Sequence, residues 1–224
     1  MPENTDTSEM KSKGLLALII IPAVIIIDQI VKIYIKTHFY LGESVEVAPW
    51  FKILFIENNG MAFGMELGSK IFLTLLRIVV VGLVIYYVCR IKNNPRLKTG
   101  YMISLALINA GAAGNIIDSL FYGLIFNNPM PPMVAEMFPP DGGYAPFLHG
   151  RVVDMLYFPL FSFNWPEWIP FVGGDLFIFF QPVFNIADAA ITVGILMLIF
   201  FYSNQLTELQ HSPEPANQPD NVEN

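Results

Sequence analysis

Four long apolar stretches, at about 14–34, 71–89, 101–125 and 182–202, set the terms on which this chain can fold. Each is close to the roughly 20 helical residues that cross a bilayer. Lipid offers no hydrogen-bond partner to the backbone, so such stretches fold as helices that pair their own amides and carbonyls. Composition agrees: 54% of the 224 residues are hydrophobic and 14% charged, against about a quarter charged in soluble domains. A chain of this kind is not disordered, collagen-like or coiled-coil. The net charge of −7 argues against a nucleic-acid partner. The single cysteine, Cys89, leaves no internal disulfide framework and no multi-cysteine metal or iron–sulfur site.

The first stretch reads as a retained helix rather than a cleaved signal peptide. Its leading segment contains Glu3, Asp6 and Glu9, the apolar run is too long, and no A-x-A site follows. Orientation follows from lysine and arginine in the short flanks. Lys11 and Lys13 precede the first stretch, and Arg90, Lys92, Arg96 and Lys98 fill the tight connection between the second and third. The two longer connections are poor in positive charge. Both termini are therefore expected on the cytoplasmic side. Within the first long connection, 44–57 is rich in Val, Ile, Phe and Trp and ends at the turn signal Asn58-Asn59-Gly60. Strands forming a small outer sheet are expected there. The second, 126–177, holds most of the prolines together with Trp165 and Trp168, residues suited to a membrane–water interface.

Ionisable residues inside such stretches are costly and are functional candidates by default. Asp28 and Lys32 lie in the first stretch, Arg77 in the second, Asp118 in the third and Asp188 in the fourth. At about 1.5 Å rise per residue, Asp28, Asp118 and Asp188 fall at one level near the outer leaflet. Asp28 and Lys32 are four apart and can pair as an internal anchor. Asn115 precedes Asp118 by three and Asn185 precedes Asp188 by three, so each Asn shares a helix face with its Asp. These pairs read either as a polar clamp between helices or as a site that hydrogen-bonds a carboxyl group or a substrate carbonyl. A proton-coupled transporter and a membrane scaffold are the competing classes. The polar residues gather at one end and form no path across, which disfavours transport. The three histidines are dispersed, neither H-E-x-x-H nor G-x-S-x-G occurs, and Gly173-Gly174-Asp175 lies in an outer connection. Cys89 is expected to be a buried, inert thiol.

Five motifs, taken together, resemble the bacterial lipoprotein signal peptidases, the signal peptidase II family. Asp28-Gln29-Ile30-Val31-Lys32 resembles D-x-x-x-K, and Asn58-Asn59-Gly60-Met61-Ala62-Phe63 resembles N-x-G-x-A-F. Gly114-Asn115-Ile116-Ile117-Asp118 resembles G-N-x-x-D, Val152-Val153-Asp154 resembles V-V-D, and Phe184-Asn185-Ile186-Ala187-Asp188 resembles F-N-x-A-D. The resemblance implies an all-α membrane protein: a four-transmembrane-helix bundle with a small β-sheet, or cradle, and a loop-rich region on the outer, periplasmic side. It divides the chain into a cytoplasmic amino terminus (1–13), a peptidase domain (14–202) and a disordered cytoplasmic tail (203–224). The domain would include an outer β-region at about 38–70 and an outer insertion at about 126–177.

The activity implied is that of an intramembrane aspartyl endopeptidase of the bacterial inner membrane. It would cut diacylglyceryl-modified prolipoproteins before the lipidated cysteine, with no cofactor and no metal. Expected partners are that substrate and membrane lipids, and a monomer is expected. Asp154 and Asp188 would be the catalytic pair. Asn58, Gly60, Asn115 and Asn185 would line the site, and Asp28, Lys32 and Asp118 would support it. Two carboxyls sharing one site hold one proton between them. The ionised member can then activate water while the protonated member hydrogen-bonds the scissile carbonyl.

Two features depart from the family pattern. Ser119 stands where the family has Arg, and Asp118 and Asp154 are 36 positions apart, separated by a Pro-rich insertion. Arg151 is the only Lys or Arg between Phe121 and the last apolar stretch. It reads either as bringing the missing guanidinium to the carboxylate cluster or as an exposed loop arginine on lipid headgroups.

Overall fold

The computed structural model describes residues 3–59, 70–92, 94 and 96–205. Gly60, the rest of the N-x-G-x-A-F motif and most of the tail lie outside the described residues. Helix α1 spans Glu3–His38, α2 Lys70–Ile91, α3 Thr99–Ile117 and α5 Ile186–Phe201. Among the described residues, three helical segments, Leu15–His38, Lys70–Ile91 and Thr99–Ile125, are long and apolar enough to cross a membrane. Pro22 sits inside α1, as is tolerated where neighbouring helices and local adjustments satisfy the freed carbonyl.

Helix α3 is the hub, packing against α1, α2 and α5. It buries most of its length, whereas α1 and α2 leave most of their apolar side chains exposed. Small residues bring α5 close. A β-carbon on Gly111 would meet the Ala187 carbonyl oxygen and approach Ile191 Cγ1 to 2.7 Å, and one on Gly194 would stand 2.7 Å from the Ser104 carbonyl oxygen. Gly111→Ala is therefore expected to lower stability by about 1–3 kcal/mol, the usual cost of overpacking. Thermal unfolding in detergent measures this, and an unchanged midpoint contradicts the packing account.

Two apolar clusters lie at opposite ends of the bundle. Ala17, Leu97, Tyr101, Met102, Leu105 and Ala106 form one. Ile35, Phe55, Tyr122, Phe126, Val153 and Met155 form the other, between the end of α1, the end of the third span and the sheet. The ends of α3 and α5 near the first cluster are tied by Gln205, which accepts from the Lys98 amide (2.8 Å) and donates to the Arg96 carbonyl (3.1 Å).

Strands β1 (Ser44–Ala48) and β2 (Phe51–Asn58) form the expected hairpin. The sheet does not stop there. β3 (Val152–Tyr157) and β6 (Val183–Phe184) join it from the second connection, giving the antiparallel order β1-β2-β3-β6. β4 (Phe161–Asn164) and β5 (Leu176–Phe179) make a separate hairpin. The second connection is thus less loop-like than its prolines suggest. The fourth apolar stretch also starts later than its composition implies. Val183 and Phe184 pair with Tyr157 and Leu156, and the sheet holds them extended until Asn185 caps α5.

Past Ile117 the third span loosens into a π-helical turn, Asp118–Tyr122, and ends in a short helix α4, Gly123–Ile125. Single π-helical turns commonly mark functional sites. The Pro-rich connection that follows runs alongside and donates to carbonyls of this segment. Gly150 N reaches Ser119 O at 2.9 Å, and Ala145 N reaches Gly123 O at 3.0 Å. A β-carbon on Gly150 would collide with the Asp118 carbonyl oxygen, so the close approach requires glycine. Cys89 is exposed on α2, not buried, because α2 packs on the bundle along one side and leaves the remainder outward.

Candidate active site

The site begins with the start of α5. Asn185 is its N-cap, and its side-chain oxygen accepts from Asp188 N at 2.9 Å, while Asp188 Oδ2 accepts from Asn185 N at 3.3 Å. This is a capping box, not a pair on one helix face as the spacing implied. Asp188 occupies the third helical position, where the positive end of the helix dipole favours a carboxylate. The side-chain amide of Asn185 stays free to point elsewhere. It donates to Asp154 Oδ1 at 2.7 Å and lies 3.1 Å from Asn115 Oδ1 and 3.3 Å from Val153 O. Asn115 Nδ2 in turn donates to Asp188 Oδ1 at 2.7 Å. Two asparagines therefore join the carboxylates of Asp154 and Asp188.

Strand pairing brings Asp154 to this point. In the β2–β3 ladder Asn58 faces Val152 and Ile56 faces Asp154. Asn58 and Asp154 thus share a sheet face as diagonal neighbours, and Asn58 hydrogen-bonds the Asp154 carboxyl. On the other edge of β3, pairing with β6 ends one residue before Asn185. Asp154 is almost fully buried and Asp188 partly exposed. Burial, then the charge of Asp188, push the Asp154 carboxyl up to about 7, against the opposing hydrogen bonds of Asn185 and Asn58 and the charge of Lys32.

Beneath the pair lies a buried ionic network. Lys32 Nζ stands 2.8 Å from Asp28 Oδ2, 2.8 Å from Asp118 Oδ2 and 2.8 Å from Asn115 Oδ1. Asp28 Oδ1 accepts from Ala187 N at 2.9 Å, holding α1 to the first turn of α5. Asp118 accepts from Val153 N at 3.3 Å, fixing the strand that carries Asp154. Gln29 completes the network, donating to Asp118 Oδ1 (2.8 Å) and to the Gly114 carbonyl (3.2 Å) while accepting from Tyr122 (3.1 Å). Sequence reasoning passed over Gln29 and Tyr122. A glutamine between Asp28 and Lys32 in an apolar stretch was the available signal.

Arg151 is directed away from this network. Its Nη1 stands 2.9 Å from Glu57 Oε2 and 3.3 Å from Asn128 Oδ1, and its guanidinium lies over the Tyr144 ring. The Glu57 side chain is almost inaccessible and also takes Lys36 from α1. The cation on Asp118 is Lys32, from below, and Ser119 donates to the Asn115 carbonyl at 3.0 Å. Where the carboxylate cluster was expected to receive the Arg151 guanidinium, the structure pairs it with Glu57. The register sets Glu57 opposite Val153, so a buried carboxylate beside Arg151 captures it first.

Similarity to known proteins follows the same elements. A family model described as signal peptidase (SPase) II matches residues 20–203. A lipoprotein signal peptidase of Porphyromonas gingivalis is 47% identical over 199 residues, 89% of this chain and 87% of that one. One from Amoebophilus asiaticus is 33% identical over 181 residues, 78% of this chain and 72% of that one. A solved bacterial membrane enzyme, determined by the in meso method at 1.9 Å resolution, superposes with a TM-score of 0.54 at 25% identity, over 88% of this chain and 94% of that one. A second such structure, at 2.3 Å, gives a TM-score of 0.56 over 91% of this chain and 94% of that one; at 24% identity it speaks for the fold alone. The matched region begins within α1 and ends after α5, taking in every element that carries the buried carboxylates, and this chain belongs to the signal peptidase II family.

Proposed function

We propose that this chain is an aspartyl endopeptidase that removes signal peptides from diacylglyceryl-modified prolipoproteins, cleaving before the lipidated cysteine. The observation that carries the mechanism is the junction of Asp154 and Asp188 through Asn185 and Asn115. Asp154, buried and raised to about 7, keeps a proton where an ordinary carboxyl would have lost it. One ionised carboxylate of the pair draws a proton from water, which attacks the scissile carbonyl carbon. The protonated partner hydrogen-bonds the carbonyl oxygen and stabilises the charge that develops there. The tetrahedral diol then collapses, the C–N bond breaks, and the amide nitrogen leaves with a proton from the pair. The titration belongs to the pair as a whole.

A gel-shift cleavage assay on a diacylglyceryl-modified prolipoprotein tests this reading. Turnover is expected with the unaltered protein and none with Asp154→Asn or Asp188→Asn. Activity depends on pH in a determined direction. The proton on Asp154 is lost as pH rises through about 7, so kcat/KM falls on the alkaline side with an apparent pKa near that value. Stability moves the same way. The unfolded carboxyl ionises from 3.8 and the folded one only near 7, so the native state binds more protons between those values and loses stability as pH rises through them. A rate that keeps rising through pH 8 contradicts the assignment.

The fourth span is α5. At 16 residues it rises about 24 Å, short for a bilayer core, but it runs beside α3 from end to end. Its start meets Asn115 near the close of α3, and Gln205 beyond its finish meets Lys98 at the beginning of α3. The chain then lies in the inner membrane as four spans with both termini cytoplasmic and the carboxylate pair near the outer leaflet. The substrate's acyl chains stay in the bilayer, each buried CH₂ contributing about 0.8 kcal/mol to its retention. In a Cys89→Ser background, Ser203→Cys is expected to escape an impermeant thiol reagent in intact cells and Glu46→Cys to react with it. The reverse pattern overturns the topology. Arg151, held by Glu57, Asn128 and Tyr144, stands three residues before Asp154 in the chain.

A further inference from the structure

The chain between Asp154 and Asp188 makes an excursion that the carboxylate pair does not need. β3 leads out into the β4–β5 hairpin, and β5 leads back through β6 to Asn185. Among the described residues, the hairpin has no extended packing against another element. Its register sets Phe161 opposite Phe179 and Phe163 opposite Phe177. Strand alternation puts these four rings on one face. Phe161 and Phe179 stack with centroids 4.8 Å apart, and Trp165 meets Phe163 and Phe177 at 5.0 and 5.6 Å. An aromatic wall has been built, yet Phe161, Phe163 and Phe179 remain 40–53% exposed.

The tip is more extreme. Trp168 is 81% exposed and Phe171 fully so, at φ 70, a left-handed conformation that bulky residues rarely adopt. Backbone hydrogen bonds from Ile169 to Pro166, Gly173 to Ile169 and Gly174 to Trp165 hold the tip closed, so it presents these rings on an ordered turn. A second run of rings follows directly in the chain. Phe180 meets Phe184 at 6.1 Å, Phe184 meets Phe158 at 5.6 Å, and Phe158 stacks on Phe51 at 4.8 Å and on Trp50 at 6.2 Å. This run of rings ends beside the start of α5, many of whose apolar side chains are exposed.

We propose that the β4–β5 hairpin is a lipid-binding arm, whose aromatic face and tip lie at the headgroup–acyl boundary of the outer leaflet beside the carboxylate pair. Rings with an apolar body suit that boundary, where tryptophan concentrates. Among the described residues, no other strand pairs with the edges of the hairpin, which the wet interface tolerates and the hydrocarbon core does not. No lysine or arginine follows Arg151 in the chain, and the tip carries Glu167 and Asp175. The hold is therefore apolar, not electrostatic, and neither salt nor anionic lipid strengthens it. Because the arm joins the strand of Asp154 to the cap of α5, its seat on lipid sets the height at which the two carboxylates stand.

The three tryptophans allow a direct reading. A full chain carrying Trp50→Phe and Trp165→Phe retains Trp168 alone. It is reconstituted into phosphatidylcholine vesicles, with or without phosphatidylglycerol, containing lipids brominated at the 6,7 or the 11,12 positions of an acyl chain. Trp168 is expected to lose most of its emission to the shallow bromines and less to the deep ones, equally in neutral and anionic vesicles and at low and high salt. Adding Phe163→Thr and Phe177→Thr, which keep strand propensity, is expected to abolish the quenching. Strong quenching by aqueous acrylamide with none by bromolipid places the tip in water and overturns the proposal. Shielding from both quenchers means that protein covers the arm, a second copy or another chain, and also overturns it. The reading needs no catalysis, so its failure and the failure of the peptidase assignment are separate results.

Discussion

Asp188→Asn and Asp154→Asn are each expected to leave a folded protein and to reduce cleavage of lipid-modified prolipoprotein by at least the 10²–10⁴-fold, roughly, that general acid–base catalysis contributes. An amide cannot accept the proton that water must lose, nor hand one to the departing nitrogen. The geometry predicts that folding survives. Asp188 Oδ2 accepts one capping bond from the Asn185 amide and Oδ1 one bond from Asn115. An Asn side chain keeps an acceptor oxygen for one of these and fits the same volume. At Asp154 the gain is larger. Its carboxyl is buried and raised to about 7, so replacing it by a neutral amide removes a destabilising ionisation and is expected to raise the melting temperature at pH 8. An inactive variant more stable than the parent marks a group kept for chemistry. Near-parental turnover in either variant removes the dyad from the mechanism, and loss of folding in both removes the test's premise that the capping box survives.

Much of the geometry around this pair was legible because its parts are local. Asp28 and Lys32 lie one helical turn apart, and Asn115 and Asp118 stand three apart near the end of one span. Both relations hold in any helix that begins or runs there. The depth argument works for the same reason, since rise per residue alone brings Asp28, Asp118 and Asp188 to one level. The 44–57 hairpin declared itself through β-branched and aromatic residues between turn signals. What could not be read was pairing over distance. Val152–Tyr157 is strand-like, but its partner β2 lies nearly a hundred residues earlier, and no local pattern fixes that register. Asp154 was therefore reached through family resemblance and not through depth counting. The fate of Arg151 depended on the same register, which puts Glu57 beside it. Composition also cannot tell an apolar strand from an apolar helix, so Val183 and Phe184 read as part of the last helix until β3 claimed them.

Lys32→Ala is expected to be the most damaging substitution for folding. The ammonium group has three donors, and all three are committed, to Asp28, Asp118 and Asn115, each at 2.8 Å. The side chain is fully buried, so no water reaches the vacated place from solvent without rearrangement. Removing it leaves two carboxylates facing each other across a cavity, and breaking a buried pair by deleting one partner costs roughly 3–5 kcal/mol. Here one cation serves two acids, so the upper part of that range applies. The damage also propagates. Asp28 holds the Ala187 amide and Asp118 holds the Val153 amide, so the elements bearing Asp188 and Asp154 both depend on Lys32. The expected result is little folded protein from Lys32→Ala, with specific activity of the folded remainder falling less than the yield. Pairing the loss with neutral partners, Lys32→Met with Asp28→Asn and Asp118→Asn, is expected to restore part of the melting temperature, since the penalty lies in the stranded charges. A Lys32→Ala protein that melts with the parent would mean that the network is not what holds α1, α5 and the sheet around the site.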